Sequence, residues 1–293
     1  MSARTVLDLV RAATDYLLRQ SVETPRLDAE VLLADLLGVR RLDLYVRFDM
    51  PLDDGAKNAF RERLMQRGKG RPVSHIVGYR EFYGRRFAVG PAVLTPRPES
   101  ELLVDEALAF LKSRREADPA SPRPKVLELG VGSGAVLATI AAEAGDGRYF
   151  GVEISPEAVA VARKNIASAA PTAEVDLREG DLFGPVKEES TFDLIVSNPP
   201  YVTDAEWSTL AKDVREFDPA VALRSGADPV AFHRRILAEA TGFLAENGRI
   251  VLEGGSGLPE FLAESGRLAP AFTGRLIRDL ADLPRILVFD RRP

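Results

Sequence analysis

Residues 126–135 read Val-Leu-Glu-Leu-Gly-Val-Gly-Ser-Gly-Ala, a mostly hydrophobic run followed by three glycines at alternate positions. A short apolar run is typical of a strand buried on both faces, and the glycines permit a tight turn that brings the backbone close to a ligand. A helix that begins after this turn would direct its N-terminal N–H groups to the same place. The segment therefore predicts a strand, a glycine-rich binding turn and a helix.

The chain after this turn alternates between strand and helix patterns. We predict strands near residues 125–129, 149–153, 174–178, 192–196, 249–253, 275–279 and 285–289. We predict helices over residues 134–144, 156–169, 229–245 and 258–265. This alternation is typical of an α/β protein with a mostly parallel, doubly wound sheet, here of seven strands. Only a short link separates the last two strands, so this pair should be antiparallel, because a parallel crossover needs about a dozen residues.

The first part of the chain has a different pattern. Apolar residues at helical spacing predict helices that begin near Val6, at Pro25 and at Asp53, and the aromatic residues around Tyr83 and Gly84 predict a β-hairpin. We predict three parts: a helical substrate-docking domain over 1–74, a β-hairpin linker over 75–95 and a ligand-binding domain over 96–293.

Composition excludes several kinds of chemistry. The 293 residues include no cysteine and two histidines, which excludes disulfides and thiolate sites and leaves little material for a histidine-based metal site. We therefore expect no metal. The chain has no apolar run near the ~18 residues that span a membrane and no signal-peptide pattern, so we expect a cytoplasmic protein without a membrane partner. The net charge of −5 argues against a general nucleic-acid binder.

A second decisive stretch, residues 192–201, reads Phe-Asp-Leu-Ile-Val-Ser-Asn-Pro-Pro-Tyr. The two prolines cannot continue a strand ladder, so the chain must leave the sheet at Asn198. The stiff turn then offers two acceptors, the Asn198 side-chain oxygen and a backbone carbonyl, beside the ring of Tyr201. Such a site suits a planar group that carries an NH2. The alternative is an ordinary strand end followed by a Pro-Pro turn.

The glycine-rich turn is compatible with two classes of cofactor. One spacing, G-x-G-x-x-A, fits a dinucleotide, and the other, E-x-G-x-G-x-G, resembles the first motif of class I S-adenosylmethionine-dependent methyltransferases. Glu128 would attract a methionyl ammonium and repel a pyrophosphate. Glu153, about 20 residues beyond the turn, suits ribose hydroxyls in either case.

We favour S-adenosylmethionine, because residues 198–201 suit an amino-group acceptor and no acid or base for hydride transfer is apparent. Asp181 is predicted at the adenine rim, near the exocyclic amine, although an acidic turn residue is the alternative. The predicted cofactor-binding residues are Glu128, Gly130, Val131, Gly132, Ser133, Gly134, Glu153, Asp181, Leu182 and Asn198. The predicted catalytic residues are Asn198, Pro199, Pro200 and Tyr201.

Taken together, these motifs resemble the amino-methyltransferases that carry N-P-P-Y. Residues 95–101, Thr-Pro-Arg-Pro-Glu-Ser-Glu, further resemble the P-R-P-E-T-E segment of the HemK/PrmC family. Residues 26–38 look like that family's helical substrate domain, residues 78–84 its hairpin and residues 217–223 the segment after its N-P-P-Y loop. Three departures are Asp218, where the family usually has Glu, Leu182 at the adenine rim, and the Gly-Gly-Ser-Gly run at residues 254–257.

The resemblance implies a class I, Rossmann-like methyltransferase fold and the transfer of a methyl group from S-adenosyl-L-methionine, with S-adenosyl-L-homocysteine as the other product. The implied target is the side-chain N5 of the GGQ glutamine in class I peptide-chain release factors. We expect the protein to be a monomer and to have no direct nucleic-acid substrate. Other possibilities are glutamine methylation of a ribosomal protein, amino-methylation of a nucleic-acid base, and a docking protein with little catalysis.

Overall fold

The computed structural model describes residues 5–189 and 191–292, and its elements are numbered in chain order. The helices are α1 Val6–Arg19, α2 Pro25–Leu36, α3 Asp43–Val46, α4 Asp54–Gly68, α5 Val73–Val77, α6 Glu101–Ala117, α7 Ala135–Ala144, α8 Pro156–Ala169, α9 Asp204–Trp207, α10 Lys212–Phe217, α11 Ala231–Ala240 and α12 Leu258–Leu268. The strands are β1 Tyr79–Phe82, β2 Arg85–Ala88, β3 Lys125–Leu129, β4 Arg148–Glu153, β5 Glu174–Glu179, β6 Phe192–Ser197, β7 Val202–Thr203, β8 Arg224–Gly226, β9 Leu244–Glu253, β10 Phe272–Arg278 and β11 Pro284–Arg291.

The chain forms two compact units. The smaller one contains the described residues up to Tyr79 together with Ala211–Phe217, and the larger one contains Arg80–Leu210 and the described residues from Asp218 onwards. The predicted docking domain over 1–74, hairpin linker over 75–95 and ligand-binding domain over 96–293 stay a prediction. None of the helices in residues 5–189 and 191–292 has the length and apolar composition that a membrane crossing requires.

The smaller unit is helical because its sequence supplies both caps and apolar faces. Thr5 caps α1 through a capping box with Asp8, Pro25 occupies the first turn of α2, and the Asp53 side chain accepts a hydrogen bond from Ala56 N at the start of α4. The three predicted helix starts are therefore confirmed. The helices share one apolar core, whose members include Leu17, Leu32, Leu33, Leu44 and Phe60.

The larger unit is built on a seven-stranded sheet with the order β10-β11-β9-β6-β3-β4-β5. Strands β5, β4, β3, β6 and β9 are parallel, whereas β11 is antiparallel to both of its neighbours. The predicted mostly parallel sheet and its antiparallel last pair are both confirmed. The carboxyl ends of the parallel strands consequently meet at one edge of the sheet.

Both faces of this sheet are covered, as the unbroken apolar strands require. Successive residues of a strand point to opposite faces, so Leu194 and Val196 pack with α6, α7 and α8, whereas Ile195 packs with α11 and α12. The strands are thereby fixed on both sides, and the residues at their carboxyl ends are rigidly placed.

One predicted helix is wrong in its last part. Residues 229–245 were expected to be helical, but α11 ends at Ala240 and β9 begins at Leu244. Leu244 pairs with Phe192 of β6, and this long-range pairing overrides the helical propensity of the local sequence. The two-stranded sheet of β7 and β8, which flanks the turn after β6, was also not predicted.

Candidate active site

A cavity of about 180 Å³ lies at the carboxyl ends of β3, β4 and β6. This is the edge at which doubly wound sheets bind their ligands. The predicted residues that line it are Glu128, Gly130, Val131, Gly132, Ser133, Glu153, Asp181, Leu182, Asn198, Pro199 and Pro200. Gly134 and Tyr201 belong to the predicted set but do not line the cavity. The glycine-rich turn and the Asn-Pro-Pro turn, 64 residues or more apart in sequence, thus face the same space.

The glycine-rich turn follows β3 in a backbone conformation that favours glycine. Gly130, Gly132 and Gly134 have φ of 72°, 54° and 79°. A Cβ on Gly134 would lie 3.1 Å from the Cα of Ala162, so this glycine allows α8 to pack closely behind the turn. Gly130 and Gly132 meet no such neighbour and instead border the cavity.

Glu153 is held in place at the end of β4. Its two carboxylate oxygens accept hydrogen bonds from Gly132 N at 2.8 Å and Ser155 N at 3.0 Å. Each carboxylate oxygen has further lone pairs, so these bonds orient the group and leave acceptor capacity for a ligand. Vicinal ribose hydroxyls are ligands of the kind that such an oriented carboxylate recognises.

Glu128 is a buried carboxyl in the wall of the cavity. It is 2% exposed and accepts one hydrogen bond from Leu137 N in the first turn of α7, at 3.0 Å. Burial raises the pKa of Glu128 well above its usual range, and the charge of Glu153 raises it further, against the lowering effect of the Leu137 bond. A cationic group in the cavity would relieve this cost, so Glu128 fits the ammonium end of an amino-acid ligand.

Asp181 and Leu182 lie at the rim of the cavity, after β5. Leu182 has φ of 44°, an unusual value for a residue with a side chain. Asp181 is paired with Arg235 of α11 at 2.6 Å, and the Arg235 guanidinium lies 5.8 Å from the ring centre of Phe232. Phe232 lines the cavity and was not predicted. The predicted contact of Asp181 with an adenine amine stays a prediction, and an adenine would have to share this carboxylate with Arg235.

Asn198 projects from the end of β6, where the prolines end the ladder. Its Nδ2 donates to the Ser100 hydroxyl at 3.2 Å, and its side chain also lowers the pKa of the neighbouring carboxyl of Glu253. The NH2 end of the amide is therefore anchored on the protein. Its oxygen is left as an acceptor, as is suited to a ligand that donates N–H.

Tyr201 follows the two prolines and is half-buried. Its ring packs against Gly255, where a Cβ would lie 3.3 Å from the ring. Burial raises the pKa of Tyr201 to about 12, so the phenol is neutral at physiological pH. Its predicted contact with a planar ligand stays a prediction, as does the alternative role of a hydrophobic plug.

The loop after Val93 forms a further wall of the cavity and is tied to the segment after the Asn-Pro-Pro turn. Asp218 accepts hydrogen bonds from the backbone N and the hydroxyl of Thr95, both at 3.3 Å, and its other oxygen pairs with Arg97 at 2.6 Å. The shorter Asp218, where the HemK/PrmC pattern has Glu, therefore still reaches both loop residues.

Asn165 joins three parts of the larger unit behind the glycine-rich turn. It is 5% exposed on α8, its amide NH2 donates to Ala88 O at 2.9 Å and Ser133 O at 2.8 Å, and its oxygen accepts from Ala88 N at 2.8 Å. The side chain thus links the end of β2 to the turn. Sequence spacing gave no indication of this link.

Sequence reasoning also missed Ser100 and Glu253, which lie beside Asn198, and of these Ser100 also lines the cavity. Glu253 ends β9, the parallel neighbour of β6, and this position was the available signal, because residues at the carboxyl ends of adjacent parallel strands lie side by side. Among residues 5–189 and 191–292, no cluster of three or more His, Asp or Glu side chains suits a metal ion.

The sheet order, the covered faces and the cavity at the carboxyl edge define a class I, Rossmann-like methyltransferase. A methyltransferase domain family matches residues 126–217. The fold is similar to the hMettl16 catalytic domain solved in complex with the MAT2A 3'UTR hairpin 1, with a TM-score of 0.57, 12% identity and coverage of 96% of this chain and 93% of that one. The predicted fold class is confirmed.

The particular family follows from closer relatives. A PrmC N-terminal domain family matches residues 8–78. A release factor glutamine methyltransferase from Rhodopirellula baltica is 39% identical over 97% of this chain and 95% of its own length. One from Geobacter sulfurreducens is 40% identical over 88% of this chain and 85% of its own length. The chain belongs to the release factor glutamine methyltransferase family, as its motifs predicted.

The Asn165 link leads to a prediction about stability. Asn165→Ala leaves the N–H and C=O of Ala88 and the C=O of Ser133 without this partner, so we expect a loss of about 2–4 kcal/mol in the free energy of unfolding. Urea unfolding followed by circular dichroism measures it. Lys164→Ala, at an exposed position on the same helix, should change stability by less than about 0.5 kcal/mol. Equal stability of the two variants would show that the Asn165 bonds contribute nothing net.

Proposed function

We propose that this protein transfers a methyl group from S-adenosyl-L-methionine to the side-chain amide N5 of the GGQ glutamine in class I peptide-chain release factors. The family to which the chain belongs supports the reaction and the substrate class. The observation that carries the proposal is the anchored amide of Asn198 at the cavity wall, because it presents an oxygen acceptor where an NH2-bearing substrate must be held.

The residues present fit the cofactor. Glu128 would compensate the methionyl ammonium, the turn at Gly130–Gly134 would allow close approach of the ligand, and Glu153 would accept from the ribose hydroxyls. Asp181 and Leu182 would border the adenine. Bound there, S-adenosyl-L-methionine supplies an electrophilic methyl group on a sulfonium.

The chain's own contribution is to position a weak nucleophile. An amide nitrogen is poorly nucleophilic because its lone pair is delocalised into the carbonyl. We propose that the glutamine NH2 donates one hydrogen bond to the Asn198 oxygen and one to the Pro199 carbonyl, so that the remaining electron density of the nitrogen faces the methyl group. Fixing this geometry removes much of the entropic part of the barrier.

The same two acceptors stabilise the transition state. As the new N–C bond forms, the S–CH3 bond of the donor would break, and positive charge would develop on the nitrogen; acceptors that are already oriented need no reorganisation to interact with it. The methylated amide would then become neutral by losing one N–H proton to solvent, and S-adenosyl-L-homocysteine would leave. The two prolines restrict the position of the Pro199 carbonyl, because this group lies between the fixed φ of Pro199 and the fixed φ of Pro200. Tyr201 is proposed to pack on the amide plane once the substrate is bound.

The remaining assignments complete the proposal. Residues 1–74 would dock the release factor, residues 75–95 would link this domain to the rest, and residues 96–293 would carry the reaction. The protein would act as a cytoplasmic monomer, with no membrane partner and no direct nucleic-acid substrate.

The substrate is tested with methyl-labelled S-adenosyl-L-methionine and two purified release factors, the native one and one with Ala in place of the GGQ glutamine. We expect label on the first and not on the second. Equal label on both would show that the methylated residue is not the GGQ glutamine. No label on either, with cofactor binding intact, would contradict the release-factor assignment and direct the same assay to ribosomal proteins and to nucleic acids.

Asn198 is tested by Asn198→Ala. Removing the acceptor should lower kcat by about 10²- to 10³-fold, the usual effect of deleting one preorganised polar contact to developing charge. The affinity for S-adenosyl-L-methionine should change little, and circular dichroism should show an intact fold. Turnover close to that of the native protein would rule out this mechanism.

Glu153 is tested by calorimetry. Glu153→Ala should weaken binding of S-adenosyl-L-methionine by roughly 10- to 100-fold, because charge-assisted hydrogen bonds contribute about 1.5–3 kcal/mol. Glu179→Ala is the matched control, since Glu179 lies beside Glu153 on β5 but is exposed and outside the cavity. Equal affinities of the two variants would refute the ribose assignment.

A further inference from the structure

Glu253 is a buried acid that the mechanism above does not use. It ends β9, directly beside the end of β6 that carries Asn198, and it is 1% exposed. It does not line the cavity, so it touches neither ligand. Removing a carboxyl group from water costs free energy, so we examine which groups surround Glu253.

The contacts of Glu253 converge on the substrate acceptor. The side chains of Ser100 and Asn198 both interact with its carboxyl and lower its pKa, and the Nδ2 of Asn198 donates to the Ser100 hydroxyl at 3.2 Å. The side chains of Ser100, Asn198 and Glu253 thus form a polar cluster where β6 and β9 end. The Oε2 of Glu253 has no hydrogen-bond partner among the described residues.

The polar cluster favours one orientation of the Asn198 amide relative to the cavity. An ionised carboxylate only accepts hydrogen bonds, so the amide must turn its NH2 toward Glu253 and its oxygen away from it. A protonated carboxyl is also a donor, and it would tolerate the reversed amide. The reversed amide would present an NH2 to the NH2 of the substrate, which is a repulsive arrangement.

We infer that Glu253 is a positioning residue whose carboxylate orients the Asn198 amide with its oxygen toward the substrate. This inference rests on the proposed function, because it assigns Asn198 the role given above. A carboxylate behind the NH2 group also polarises the amide, since hydrogen bonds in a chain strengthen one another, and the Asn198 oxygen becomes a better acceptor.

Burial is the main reason why the pKa of Glu253 lies close to physiological pH. Burial raises the pKa of Glu253 to about 7, and Glu99 raises it too, whereas Ser100, Arg285 and Asn198 lower it. Two further groups face this end of β9. Tyr201 is neutral, and the Nε2 of His233 is paired with the backbone carbonyl of Glu253 at 2.8 Å. Burial lowers the pKa of His233, so it is uncharged where Glu253 titrates.

The inference predicts a pH effect that is visible without turnover. The chain has four asparagines, so selective ¹⁵N-asparagine labelling gives four side-chain NH2 signals. The Asn198 signal, assigned from its absence in Asn198→Ala, should shift with pH through a midpoint near 7. In Glu253→Gln this shift should disappear. The control is Glu246→Gln, the same substitution at an exposed position of the same strand, which should titrate like the native protein.

Unfolding gives a second measurement. Because folding raises the pKa of Glu253, its contribution to stability is complete below the unfolded pKa near 4.5 and is lost as pH rises through about 7. Between about pH 5 and about pH 8, the melting temperature of Glu253→Gln should therefore fall less than the melting temperatures of the native protein and of Glu246→Gln. The other titrating groups are common to all three proteins and cancel in this comparison.

Kinetics connects the orientation to the reaction. With a release factor as substrate, the native kcat should rise with pH through about 7. Glu253→Gln should lower kcat roughly 10- to 100-fold at about pH 8, leave the KM for S-adenosyl-L-methionine within about threefold, and flatten the pH profile. A native kcat and pH profile in Glu253→Gln would overturn the inference while leaving the proposed function intact. An Asn198 signal that titrates equally in both proteins would overturn it even if no release factor were methylated.

Discussion

The site depends on one constraint of the backbone, which is that two consecutive prolines cannot pair in a sheet. β6 is buried on both faces up to Ser197 and is held between β3 and β9, and the chain must leave it at Asn198. The exit lies where the other parallel strands also end. The Asn198 amide, the glycine-rich turn and two strand-end carboxylates, Glu153 and Glu253, are thereby collected at one edge although they are far apart in sequence.

The electrostatics of this edge follow from how deeply its carboxyls are buried. Burial raises the pKa of Glu128 and that of Glu253, yet only Glu128 borders the cavity. In the proposed mechanism Glu128 gains from a cationic ligand, whereas Glu253 acts through Asn198. Glu153, held by two backbone N–H groups, keeps a fixed orientation. The proposed roles of the three acids, which are to bind an ammonium, to orient a neighbour and to recognise hydroxyls, therefore differ because their surroundings differ, although all three are glutamates.

The sequence alone predicted those parts of the structure that local sequence patterns determine. Glycine spacing, apolar strands and helix caps predicted the seven-stranded sheet and the three long N-terminal helices, and the motifs at residues 95–101 and 198–201 predicted the family. Prediction from the sequence failed where pairing between distant strands determines the secondary structure. The helix predicted up to residue 245 gives way to a strand because Leu244 pairs with Phe192. The cluster of Ser100, Asn198 and Glu253 was missed because it depends on strand order, since β9 must lie beside β6 before Glu253 can be placed next to Asn198.

The glycines after β9 show how a departure from the family pattern is accommodated by packing. A Cβ on Gly254 would lie 2.6 Å from Leu258 and 2.8 Å from the Nε2 of His233, the atom that pairs with the Glu253 carbonyl. Any side chain at residue 254 would displace one of these neighbours. A Cβ on Gly255 would in turn press on the ring of Tyr201. The two glycines therefore let His233 and Tyr201 approach the backbone directly after β9, and the bond from the His233 ring to the Glu253 carbonyl helps to fix the end of this strand, beside the end of β6.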